Sequence, residues 1–122
     1  MEAIEERVRA RERVVGEAKA WAQRLGFPAT VILIGSYARG DFNLWSDVDL
    51  LLIADFKGGP LERLKSLDFP AGFEVIPLTP RELMRLVERG DPLAFEALNG
   101  VYLRDDLGIK ELLEKKLAHT ST

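Results

Sequence analysis

The chain has 122 residues, a formal net charge of −3, one histidine and no cysteine, and 47% of it is hydrophobic, which is room for one domain, 1–122, around one core. Charges of both signs are spread along it, which argues against coating nucleic acid or an anionic membrane by bulk charge, so neither a DNA nor a membrane partner is expected. Without cysteine there are no disulfides or thiolate metal sites, and His119 alone, in the terminal "HTST", does not make a zinc site.

The N-terminal "MEAIEERVRARERVV" lacks the apolar centre of a secretory signal, and no apolar run nears the roughly 20 residues that cross a bilayer, so the expected compartment is the cytoplasm. Ile4, Val8, Arg11, Val15, Ala18, Ala22 and Leu25 recur at helical spacing, predicting a long amphipathic helix over 2–25 that stops at Gly26 and Pro28. "ATVILIGS" reads as a buried strand over Thr30–Ile34 that runs into a Gly-Ser turn, and "VDLLLIA", Val48–Ala54, as a second strand. Gly58-Gly59 is a turn, and Pro60 opens a short helix through Leu67. "GFEVIPL" is a third strand. Thr79-Pro80 with Glu82 is a capped start for a helix ending at Gly90, and Asp91-Pro92 repeats that signal for "PLAFEALNG". "VYLR" is a short fourth strand and "LGIKELLEKKLA" a last amphipathic helix. The expected architecture is α/β (α+β): a small mixed sheet of three to four strands flanked by helices, with an N-terminal helix 2–25, a core 29–78 and C-terminal helices 80–118.

The stretch "GSYARGDFNLWSDVDLLLI" carries the chemistry. Residues two apart on a strand face one side, so Asp47 and Asp49 direct two carboxylates to one place. Like charges that close call for a cation between them. A hard divalent ion answers the need, because Mg²⁺ takes oxygen ligands and is held by one or two carboxylates plus substrate phosphates. Gly35-Ser36, at the end of the preceding strand, lets backbone amides and a hydroxyl approach an anion, and Arg39 is near enough in sequence to add a phosphate contact or to form a salt bridge. A calcium loop of the EF-hand type does not fit, since Leu50, Leu51 and Leu52 follow the acidic pair.

The combination of Gly35-Ser36, "ARG", "SD", Asp47-x-Asp49 and an aliphatic strand resembles the signature of the nucleotidyltransferase superfamily with the polymerase-beta-like fold, and within it the small stand-alone minimal nucleotidyltransferases. The resemblance implies transfer of a nucleoside monophosphate, AMP from ATP or its counterpart from another NTP, to an acceptor hydroxyl with the help of two Mg²⁺ or Mn²⁺ ions. It assigns Gly35 and Ser36, with Arg39, to the triphosphate, and Asp47 and Asp49 to the metals. A third acid comes from a later strand in that family, and Glu74 is the acid inside the third strand, where Asp is more usual. The alternative for Glu74 is an outward-facing strand residue, with Phe73 and Val75 on the other face.

The family also implies partners. Minimal nucleotidyltransferases are often paired with a small helical protein of the HEPN type, so the acceptor hydroxyl expected here includes a tyrosine of such a partner. Two other classes stand beside the enzyme: an antitoxin-like interaction module, heteromeric or homo-oligomeric, and a nucleotide-binding remnant without turnover. Among the remaining residues, Asp41 and Ser46 are expected to order the loop. Tyr37 and Trp45 are expected either to cover the core or to stack on a base. Arg7, Arg9, Arg11 and Arg13 are expected to form a solvated helix face.

Overall fold

The computed structural model describes residues 2–43 and 45–118, so His119 lies outside the described residues. In chain order the elements are α1 (Glu2–Gln23), β1 (Thr30–Ile34), α2 (Gly35–Arg39), β2 (Val48–Ile53), α3 (Pro60–Lys65), β3 (Phe73–Leu78), α4 (Pro80–Glu88), α5 (Pro92–Asn99), β4 (Val101–Asp105) and α6 (Ile109–Ala118). The four strands form one mixed sheet in the order β3-β2-β1-β4. β1 runs antiparallel to both β2 and β4, while β2 and β3 are parallel and joined through α3.

Helices cover both faces of this sheet, and so β1 is buried along its whole length rather than at alternate positions. On one face Val31, Leu33, Leu50 and Leu52 pack with Ala18, Trp21 and Ala22 of α1. On the other Ile32, Ile34, Leu51 and Ile53 pack with Leu83 and Val87 of α4, Ala94 and Ala97 of α5, and Ile109, Leu113 and Leu117 of α6. The edge strand β3 does alternate, with Phe73 and Val75 buried and Glu74 exposed between them.

Local signals explain where the elements begin and end. At the start of α4, Thr79 accepts from the Glu82 amide at 3.2 Å while the Glu82 carboxylate accepts from the Thr79 amide at 2.8 Å, a reciprocal capping box. Asp91 caps α5 by accepting from the Leu93 amide at 2.9 Å. α1 ends two residues before the expected Leu25. Carbonyls at and after that end are bonded by Arg104 of β4, which donates to Ala22, Leu25 and Phe27 at 2.8 to 2.9 Å.

Two expectations need correction. The segment after β1 is a short helix, Gly35–Arg39, where a turn was expected; Gly35 enters it with φ +73°, which the sequence pattern does not reveal. The arginines of α1 are not uniformly solvated either. Arg11 donates to the carbonyls of Tyr37 (2.8 Å) and Ala38 (3.3 Å), Arg7 donates to that of Gly40 (3.0 Å), and the Arg7 guanidinium sits 4.7 Å from the centre of the Phe42 ring. Arg9 and Arg13 are exposed as expected. The first half of α1 thus reaches across the C-terminal end of α2, and on that half Ile4 and Val8 are 67% and 51% exposed.

Candidate active site

β1 delivers its C-terminal end to the place where β2 begins, because the two strands are antiparallel and Ile34 stands opposite Asp49. β3 starts beside them in parallel register, which sets Glu74 directly opposite Asp49. Partners in a parallel pair project to the same face. The two carboxyls accordingly stand close enough for Glu74 to disfavour the charged form of Asp49. A Cβ on Gly35 would force the Asp49 carboxylate to move, and the positive φ of this residue itself favours glycine.

Asp47, Asp49 and Glu74 line one open groove of about 490 Å³ with Gly35, Ser36, Arg39, Trp45, Ser46 and Glu96. Burial, the hydrogen bond with Glu74, and the nearby charges of Glu74, Asp47 and Glu96 together raise the Asp49 carboxyl from its ordinary range to about 6. Among the described residues no three His, Cys, Asp or Glu side chains already stand close enough together to hold a metal ion. The groove is therefore a concentration of oxygen donors rather than a finished cage. That suits Mg²⁺ or Mn²⁺, whose coordination is ordinarily completed by water and by substrate phosphates.

The other residues singled out from the sequence fall in and around the same groove. Arg39, the last residue of α2, pairs with Asp41 and with Glu96, both at 3.3 Å, and its side chain is more than half exposed. Ser46 accepts from the Asn43 amide at 2.9 Å, ordering the loop as expected, and also lines the groove. Tyr37 is buried and stacks on Phe42 with ring centres 4.2 Å apart, so it covers the core. Trp45 does not: it is 90% exposed at the groove.

Sequence reasoning did not single out Glu96. It reaches the groove from α5, 47 residues after Asp49, and no local pattern in "PLAFEALNG" distinguishes it from an ordinary exposed helix acid.

A family model described as "Nucleotidyltransferase domain" matches residues 18–119, well over half of the chain. The chain belongs to this nucleotidyltransferase domain family. The match contains every groove residue and starts late in α1, leaving the half of that helix that carries exposed Ile4 and Val8 outside it. No curated protein and no solved structure gives a significant match. Nucleotidyltransferase domains generally use nucleoside triphosphates with divalent metal ions, the chemistry the oxygen-rich groove suits. The mixed four-stranded sheet flanked by helices agrees with that family's fold. Among the described residues no helix is long and apolar enough to cross a membrane.

A second cavity of similar volume, about 480 Å³, opens at the other end of the sheet beside Phe27, Ala54, Phe56, Arg63 and Leu67. It shares no residue with the carboxylate groove. Its one buried cation, Arg63, is bonded to the carbonyls of Gly58 and Pro77 and to the Glu82 carboxylate, leaving it no role in phosphate chemistry.

Proposed function

We propose that the chain is a nucleotidyltransferase of the minimal type, which transfers a nucleoside monophosphate, AMP from ATP in the first instance, to an acceptor hydroxyl. The observation that carries this reading is the register that stands Asp49 opposite Glu74 on parallel strands, with Asp47 lining the same groove and Gly35 pressed against Asp49. In this reading Asp47, Asp49 and Glu74 supply the oxygen ligands of divalent ions, Mg²⁺ or Mn²⁺. The chemistry such ions supply when bound is neutralisation of charge on the attacking oxygen and on the departing pyrophosphate.

The protein's own part is positioning and proton handling. Gly35 and Ser36 hold the triphosphate through backbone amides and a hydroxyl. Arg39 exchanges a carboxylate partner, Asp41 or Glu96, for a phosphate oxygen, which its exposure permits. The acceptor oxygen attacks the α-phosphorus, the bond from that phosphorus to pyrophosphate breaks, and the hydroxyl proton leaves to a carboxylate, Glu74 being the candidate.

The test is transfer of label from α-labelled ATP with Mg²⁺ by the full chain, alone and with a small helical protein of the HEPN type that carries an acceptor tyrosine. Labelled product that disappears in the Asp47→Asn, Asp49→Asn double variant is expected. Nucleotide affinity that is unchanged in that variant and indifferent to Mg²⁺ would refute the assignment.

A second reading, an antitoxin-like interaction module, is favoured by one observation: Ile4 and Val8 leave apolar side chains of α1 exposed to water. A monomer in sedimentation at high concentration, with no capture of the helical partner, would count against it.

A further inference from the structure

Beside the carboxylate groove lies a smaller hollow of about 230 Å³, walled by Ile34, Ala38, Phe95, Asn99 and Gly100. The two are continuous, since Gly35, Arg39 and Glu96 line both. Their chemistry differs sharply. The groove presents carboxylates, serines and a guanidinium, whereas the hollow, apart from the shared Arg39 and Glu96, presents the aliphatic walls of Ile34 and Ala38 and the ring of Phe95, which is left 45% exposed. Phe95 and Asn99 are four residues apart and so share one face of α5. Asn99, exposed at the rim, offers an amide that both donates and accepts.

The fold holds α5 in this place. A Cβ on Gly100 would lie 2.6 Å from the Leu33 carbonyl oxygen, so the helix end can press against β1 only because that residue is glycine. Tyr102 donates to the Ala97 carbonyl at 2.8 Å and fixes the same end from β4.

We propose that this hollow takes the base of the nucleoside triphosphate, with Phe95 stacking on its face and Asn99 bonding its edge, while the phosphates lie in the groove. The inference rests on the nucleotidyltransferase reading above. A nucleoside triphosphate is polyanionic at one end and a flat ring with a hydrogen-bonding edge at the other, which is the contrast between the two hollows. The volume is below the roughly 300–1,000 Å³ of sites that enclose a whole drug-sized ligand, and so suits one part of a ligand that extends elsewhere. Arg39, on the border, stands where the phosphates would meet the nucleoside. Trp45 is the rival platform, but it lines only the polar groove and not the apolar hollow.

Calorimetry on the full chain with Mg²⁺, comparing ATP with inorganic tripolyphosphate, separates base from phosphate binding. Phe95→Ala is expected to weaken ATP roughly tenfold, the scale of one base–aromatic stack, and to leave tripolyphosphate within about twofold of the parent. Asn99→Ala should weaken ATP less, Phe95→Tyr should retain it, and Trp45→Ala, at the groove, should not weaken ATP more than it weakens tripolyphosphate. If Phe95→Ala proves poorly folded, Phe95→Leu against Phe95→Tyr replaces it: loss of ATP affinity in the leucine variant alone supports the proposal, and equal affinities overturn it. Unchanged ATP affinity in Phe95→Ala overturns it too, including the case in which transfer falls, because the hollow then serves the acceptor. So does a loss of ATP affinity with tripolyphosphate unchanged that is carried by Trp45→Ala instead. Those results leave the nucleotidyltransferase reading standing; a parent protein that binds neither ATP nor tripolyphosphate would remove both.

Discussion

Asp49 and Glu74 face each other across adjacent parallel strands, near enough for their carboxyls to share a hydrogen bond. If the ion near the triphosphate is held mainly by Asp47 and Asp49 and that near the acceptor by Glu74 as well, the two acids differ in what their loss costs. Glu74→Gln keeps size and most hydrogen bonding while removing charge. It should leave Mg-ATP affinity within a few-fold and lower transfer by about two orders of magnitude, a transition-state effect. Comparing single-turnover rates with calorimetric affinities checks the split, and a glutamine variant as active as the parent would reduce Glu74 to a surface strand residue.

The pH dependence follows from the same pair. Asp49, raised to about 6 in the fold from an ordinary value near 3.8, keeps a proton between those values that the unfolded chain has lost. Its contribution to stability is thus most favourable below about 4 and is eroded as pH rises through 6. Asp49→Asn removes the carboxylate, so the variant should be the more stable protein at pH 8, by about 1–2 kcal/mol after allowing for solvent screening, with the advantage gone at pH 4. Denaturant melts at the two pH values measure it. Mg²⁺ affinity of the parent should rise with pH through about 6, since the ion competes with that proton.

Gly35→Ala tests the approach of backbone to carboxylate. The left-handed backbone alone costs about 1–2 kcal/mol with a Cβ, and the added methyl also displaces the Asp49 carboxyl. Both the melting temperature and Mg²⁺ affinity should fall. A variant with normal melting and normal metal affinity would mean that the loop adjusts without moving Asp49.

Arg63 and Glu82 make a purely structural pair away from the groove. Arg63 is 8% exposed, and its guanidinium meets the Glu82 carboxylate at 2.6 Å. Hydrogen bonds from Arg63 and then from the Thr79 amide hold the Glu82 carboxyl down to about 2. The stability this supplies is present above its ordinary range and is lost as pH falls toward 2. Glu82→Gln should cost about 1–2 kcal/mol at pH 7, reduced because the carboxylate is partly exposed, and less at pH 3. Transfer activity per folded molecule should not change.

The sequence alone determined most of the elements and the local placement of the acidic pair. Buried strands such as "TVILI" and "VDLLLI" are legible because both faces are apolar, and the start of α4 because Thr79, Pro80 and Glu82 act within one turn. Asp47 and Asp49 were legible because they are neighbours in sequence, Asp47 just before β2 and Asp49 within it. Tertiary structure decided everything that joins distant segments. The opposition of Glu74 and Asp49 depends on strand register, the arrival of Glu96, Phe95 and Asn99 beside Gly35 depends on how α5 packs against β1, and the anchoring of Arg7 and Arg11 on α2 depends on where α1 crosses the sheet. Local pattern carries no such information, because contacts between segments far apart in the chain are set by which faces the folded core buries together, and a charged side chain reads the same in sequence whether it meets water or another element.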